Sequence, residues 1–277
     1  MMNSVNTNPG AMIALQNLNK TNMELQTVQN RINTGLEVAN AKDDGGIYAI
    51  AQRMRADVAS YGVVGQSLDR AASTVDVTLA AGEAISDLLI DMKEKALAAS
   101  DASLDAESRT ALNEDFTALR DQITTIVDNA EFNGVNLIDG STNEIVALAN
   151  ADGSNTLTVQ AEVMGLGTSG SVLTITGGTA IDTVTNAGAA LTNVETSLNQ
   201  LNAALARLGT GSKSLEVQST FVGKLSDALE AGIGNLVDAD MAKESAKLQS
   251  LQVKQQLGVQ ALSIANAAPQ SVLSFFR

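Results

Sequence analysis

Two stretches of this 277-residue chain hold residue types that could do chemistry. Asp43 and Asp44 stand side by side before Gly45 and Gly46, a carboxylate loop of the kind that holds a hard cation through oxygen ligands. Leu166 to Gly170, LGTSG, is glycine-rich in the manner of loops whose backbone N–H groups cradle phosphate. Neither carries the rest of its pattern. DDGG occurs once and reads as a solvated turn, and LGTSG lacks the lysine of a phosphate loop and opens no helix. The chain has no His, Cys or Trp, which removes the commonest general base, the thiol nucleophile and the usual zinc and copper ligands. A carboxylate glycosidase or a lectin is the chemistry left open. No aromatic residue for sugar stacking lies between Phe132 and Phe221, and no acidic pair converges. The residues therefore read as a protein that is no enzyme, with no cofactor and no metal.

The elements carry more than these loops do. Ala11 to Ile32 and Met241 to Ile264 are both rich in Ala, Gln and Asn and carry apolar residues at helical spacing. At the N-terminal end Ala11, Ala14, Leu18, Leu25, Val28 and Ile32 step by three, four or seven, with Leu15 beside them. At the C-terminal end Leu248, Leu251, Val259 and Leu262 follow the same rule, and Val253, Leu257 and Ile264 broaden the stripe. A helix of about 22 residues is marginal alone in water, because nucleation is costly and stability comes from packing. Each end needs a partner, and the two end stripes are the candidate self-assembly surface.

Charge follows the same division. Of the net charge of −14, residues 1–40 carry none, Lys20 and Arg31 balancing Glu24 and Glu37, and the last 42 residues carry +1. The acidic middle would repel phosphates, which argues against nucleic acid, and no run of about 20 apolar residues exists to span a bilayer. The N-terminus shows no basic region followed by an unbroken apolar stretch, so no cleavable signal peptide is expected.

Between the ends the helical period dominates. Leu68, Ala72, Val75, Leu79, Gly82, Ile85, Leu89, Met92 and Ala96 keep one face for about 30 residues. Leu112 to Ala130, Leu191 to Leu208 and Leu215 to Leu236 repeat the pattern, and four such helices are expected to bundle. Asn33 to Gly46 is too broken for helix and reads as a connector, with Gly35, Asp43, Asp44 and Gly46 as its candidate residues. Ser103 or Asp105 is placed to cap the helix that follows. From Phe132 to Asp182 the period shifts toward two, and EIVALAN, NTLTVQ and SVLTIT read as short strands. The expected fold is mainly α: a long helical coiled-coil bundle with paired N- and C-terminal helices and a small β-hairpin excursion. The expected division is 1–40 with 236–277 for the ends, 41–140 with 183–235 for a helical rod, and 141–182 for a surface-exposed hairpin region.

Four collinear blocks of this chain resemble bacterial flagellin. They are Ser4 to Asn22 (SVNTNPGAMIALQNLNKTN), Arg31 to Met54 (RINTGLEVANAKDDGGIYAIAQRM), the Phe132-Asn133-Gly134 turn, and Asp238 to Asn266 with the closing SVLSFFR. The resemblance implies terminal helices that pair into an inner tubular layer, a rod-like second layer, and an outward-facing middle. It also implies a structural subunit that polymerises into the flagellar filament for swimming motility. Export would run through the flagellar type III apparatus to the cell exterior, with an export chaperone, cap and junction proteins as partners. The related hook-filament junction role is the alternative; it is disfavoured by the strong match at Leu257 to Asn266. The Ser- and Thr-rich stretch Ser141 to Thr185 is a candidate for O-glycosylation. One segment departs from many family members: Asp91 and Lys95, in IDMKEKALA, occupy a surface recognised in other flagellins by an animal innate receptor, and resemble the alphaproteobacterial type.

Overall fold

The computed structural model describes residues 7–273, with side chains described as far as residue 267. The closing SVLSFFR block and the first residues of the opening block lie at least partly outside them. The elements run α1 (Pro9–Thr34), α2 (Gly45–Ala99), α3 (Ala106–Asn129), β1 (Glu131–Phe132), β2 (Val135–Asn136), β3 (Glu144–Leu148), β4 (Thr156–Gln160), α4 (Val184–Val237) and α5 (Met241–Leu273). The chain divides into two compact units, a central one of Asp57–Asp227 and a terminal one that combines the residues up to Ala56 with those from Ala228.

In the central unit α2, α3 and α4 bury one continuous core. Leu68, Ile85, Leu89 and Met92 from α2, Phe116 and Ile123 from α3, and Leu201 from α4 are fully enclosed. Each lies on the three-and-four repeat that the sequence displays. The turn between α2 and α3 is held by its own polar residues. The Asp105 carboxylate accepts from the Ser108 N–H at 2.8 Å and caps α3, and Arg109 donates to the carbonyls of Ala99, Asp101 and Leu104. Hydrogen bonds from the Ser108 backbone and hydroxyl hold the Asp105 carboxyl below its ordinary range.

Four helices were expected here, and the structure has three. The runs 191–208 and 215–236 form one 54-residue helix, α4, although Gly209 and Gly211 sit between them. A helical glycine costs only about 1 kcal/mol relative to alanine, and the buried series continues through Leu208, Leu215 and Val222. Gly211 has a packing reason to be glycine. A Cβ built there would lie 2.8 Å from Val159 Cγ1, whereas one at Gly209 meets nothing within 4 Å. Gly211→Ala is therefore expected to lower the melting temperature, since overpacking of about 1–3 kcal/mol exceeds the propensity gain. Gly209→Ala is expected to raise it, and thermal melts of the two variants with opposite signs would confirm the close approach of the hairpin to α4.

The excursion also differs in one strand. Antiparallel pairs β1–β2 and β3–β4 form, the first closed by Asn133 (φ 51°) and Gly134 (φ 80°), both left-handed as a two-residue hairpin turn requires. SVLTIT, expected as a strand, is not one. Its alternation is genuine, for Leu173 and Ile175 are buried. Its backbone makes one main-chain bond to a distant segment, the Val172 N–H donating to the Val163 carbonyl at 2.8 Å, and then turns to side chains: the Thr174 N–H donates to Ser197 Oγ at 2.9 Å and the Thr176 N–H to Thr179 Oγ1 at 3.1 Å. Alternation reports a half-buried extended chain, and here α4 supplies the burial without a ladder. The excursion is tied down further by Arg207, whose guanidinium donates twice to Glu162 at 2.6 Å, and by Arg120 Nη1 donating to the Thr179 carbonyl.

Candidate assembly site

The terminal unit is built on the pairing of α1 with α5. Asn8 caps α1, accepting from the Ala11 N–H at 3.1 Å, and Pro9 opens the helix where its missing donor costs nothing. Gly35 ends it in the left-handed region at φ 72°, with its N–H on the Arg31 carbonyl at 2.8 Å. Immediately beyond, the connector meets the turn before α5. Leu36 bridges Asp238, the Glu37 N–H donates to the Val237 carbonyl, and the Ala239 N–H donates to the Gly35 carbonyl. Asp240 then caps α5 by accepting from the N–H groups of Ala242 and Lys243.

Along the pair, Leu25, Val28 and Leu251 form the buried centre, with Ile32 and Leu248 packed against it. Ala11, Leu18 and Leu262 are half-buried. The remaining candidates lie outside this seam: Leu15 is 49% exposed, Leu257 60%, Val259 55% and Ile264 67%. Gly258 takes the seam position next to Val259, with its Cα facing Leu18 closely enough that an added Cβ would meet Leu18 Cδ1 at 3.2 Å. A glycine adds nothing to an apolar stripe, so this position is invisible to hydrophobic periodicity.

The two outer faces share a composition. On α1 the exposed positions include Met12, Ile13, Leu15 and Met23 among Asn and Gln, and the charges Lys20, Glu24 and Arg31 keep to one stripe stepping by four and seven. On α5, Val253, Leu257 and Ile264 are exposed with Gln249 and Gln260 along the same side, and Lys243, Lys247 and Lys254 occupy another stripe. An uncharged strip of aliphatic and amide side chains, opposite a seam that is already filled, has no partner among the described residues of the terminal unit. A surface of this kind marks a site of protein association.

The connector residues have local duties. Asp43 Oδ2 accepts from the N–H groups of Ala39 and Asn40, and Asp44 Oδ1 accepts from those of Gly46 and Ile47, at 2.9 Å each for Asp44. The pair that could have been read as a cation loop is thus engaged in a turn and in the cap of α2. Gly46 falls in the first turn of α2, beyond the connector itself.

Long helices on a heptad period, chain ends folded back to pair, and an uncharged face left open define a helical structural subunit. The description "bacterial flagellin N-terminal helical region" matches residues 5–143, and "bacterial flagellin C-terminal helical region" matches residues 191–276. The flagellin FljK of Caulobacter vibrioides is 58% identical over 276 residues, covering 100% of this chain and 99% of its own. A flagellin of Brucella melitensis is 38% identical over 283 residues, with 100% of each chain covered. The crystal structure of Bacillus cereus flagellin aligns at 20% identity over 66% of this chain and 94% of its own, with a TM-score of 0.43. The chain belongs to the bacterial flagellin family and is a structural subunit of the flagellar filament.

Proposed function

We propose that the outer faces of α1 and α5 are the surfaces through which copies of this chain join into the filament. The observation that carries this reading is the exposure of Leu257 and Ile264, seven residues apart and so stacked two turns from each other on one side of α5, with no charge between them on that side. Burying each such side chain contributes about 1.5–3 kcal/mol, and a contact repeated at every subunit accumulates that gain along the polymer. The faces lie on different helices, so a contact between one copy's α1 and the next copy's α5 is heterologous and stays open, which gives a filament and not a closed ring.

The family's setting supplies the other partners in this reading. The chain leaves the cell through the flagellar export apparatus, is held beforehand by an export chaperone, and meets cap and junction proteins at the two ends of the filament. The Ser- and Thr-rich stretch 141–185 presents exposed hydroxyls such as those of Ser141, Ser154 and Thr168, and O-glycosylation falls there. Seeded polymerisation followed by negative-stain electron microscopy tests the assembly face. The full chain is expected to extend seeds, and a chain lacking residues 1–36 and 240–277 is not. Equal growth of the trimmed chain would remove the terminal helices from the contact.

A further inference from the structure

The spacing of inward positions in the seam between α1 and α5 is compatible with more than one register. The inward positions of α1 are Ala11, Ala14, Leu18, Thr21, Leu25, Val28 and Ile32, stepping alternately by three and four. Those of α5 are Glu244, Leu248, Leu251, Gln255, Gly258, Leu262 and Ala265, stepping alternately by four and three. Both are strict heptads, so moving one helix along the other by seven residues again places inward positions opposite inward positions. In one such alignment Leu18 would face Leu251 and Ala11 would face Gly258, so apolar positions still meet over part of the seam.

The native alignment seats Leu18 on Gly258, and the sharpest distinction between the registers is polar. Arg31 Nη1 lies 3.2 Å from Glu244 Oε1 and 3.5 Å from Glu37, and the Glu244 side chain is only 6% exposed. Arg31 Nε and Glu244 Oε2 have no hydrogen-bond partner and are buried, so the pair is held incompletely satisfied. Farther along, Gln255 Nε2 donates to Asn22 Oδ1 at 2.8 Å, and Asn8 Nδ2 donates to the Ala265 carbonyl at 2.7 Å. A slip of seven residues in one direction sets Arg31 against Leu251; in the other it sets Glu244 against Glu24. Each leaves a buried charge unpaired or facing its like, which is strongly unfavourable.

We infer that the Arg31–Glu244 pair is a register pin. It selects one of several heptad-compatible alignments of α1 on α5, and through that alignment decides which outer residues of the two helices are presented together to a neighbouring copy. The inference rests on the proposed assembly face for its consequence, but not for its test, which reads the alignment within one chain. The same end of the pair carries the backbone bridge between Leu36 and Asp238. That bridge uses main-chain groups and offers no side-chain discrimination, so the pin and the bridge make separable predictions.

The chain contains no Cys, which makes introduced pairs clean reporters. A Cβ at position 258 would lie 3.9 Å from Leu18 Cβ, inside the range a disulfide spans. Leu18→Cys with Gly258→Cys therefore reports the native register. Ala11→Cys with Gly258→Cys reports a slip of seven residues, about 10.5 Å along the helix and out of disulfide reach in the native alignment. Full-length chain is oxidised, and the intrachain product is identified by its gel mobility and by peptide mass mapping. With Arg31 and Glu244 present, only the native reporter should close. In the Arg31→Met, Glu244→Leu background the helices should still pair, and the slipped reporter should rise by about tenfold as buried polar discrimination is lost. The exchange Arg31→Glu with Glu244→Arg should return the yield to the native pattern. The inference is overturned if the apolar background closes only the native reporter, which would assign register to the backbone bridge, or if the native reporter fails to close in the unaltered background.

Discussion

Leu251→Asp is expected to yield no filaments while leaving the central unit folded. Leu251 is 2% exposed and is the α5 member of the buried centre that Leu25 and Val28 complete from α1. Truncating a buried leucine costs about 2–5 kcal/mol, and a carboxylate in its place adds the penalty of an unpaired charge among apolar neighbours. Among the described residues the buried centre of the seam consists of these three, with Ile32 and Leu248 packed against it, so little packing remains to hold α5 on α1 once Leu251 is lost. The core of the central unit runs from Val64 to Val222 and includes none of them. Circular dichroism should therefore keep the greater part of the helical signal and a cooperative melt, while seeded growth stops. Filaments of ordinary length and number from this variant would show that α1–α5 pairing is dispensable for assembly.

How far the sequence discloses all this depends on the range of the signal. Heptads are local, and α2 and α3 lie where Leu68 to Ala96 and Leu112 to Ala130 place them. The cap at Asp105 and the Phe132-Asn133-Gly134 turn are likewise short-range chemistry, one a side chain reaching its own helix end and the other an Asn-Gly pair suited to left-handed angles. The misreadings have the same origin. The runs 191–208 and 215–236 read as two helices because periodicity is counted over a local window, and the long-range approach of Val159 explains why a small residue belongs at Gly211 within α4. SVLTIT alternates as a strand does, but whether a partner strand exists is decided by the side chains of Ser197 and Thr179, 23 and three residues away from the N–H groups they serve.

The assembly stripe was legible as a set of residues and not as two surfaces. Periodicity groups Leu18, Leu251 and Leu262 with Leu257, Val259 and Ile264, because all are apolar at helical intervals. Separating the inner from the outer members needs the partner helix. Arg31 and Glu244 are 213 residues apart and look like ordinary surface charges in the sequence; their proximity follows from the antiparallel alignment alone. A single sequence records which residues are apolar, whereas the sign of a charge's contribution depends on what the fold sets beside it.

The second large effect is expected from the outer face. Leu257→Asp combined with Ile264→Asp should abolish filaments without loosening α1 from α5. Both side chains are more than half exposed, and substitutions at such positions usually change stability by no more than about 0.5 kcal/mol. The Leu18–Gly258 cysteine pair should accordingly close as before, which separates this variant from Leu251→Asp, where it should not. In the proposed contact the same two positions would be buried against a neighbour. Each subunit would lose the burial of two aliphatic side chains and would carry two carboxylates into a water-excluded contact. Lys247→Gln, on the lysine stripe of the same helix, removes a charge without touching the aliphatic face and should leave growth intact. Electron microscopy of seeded reactions reads all three variants together. If the double aspartate variant grows filaments as the unaltered chain does, the outer face of α5 makes no contact that assembly requires, and the joining surface must lie elsewhere on the subunit.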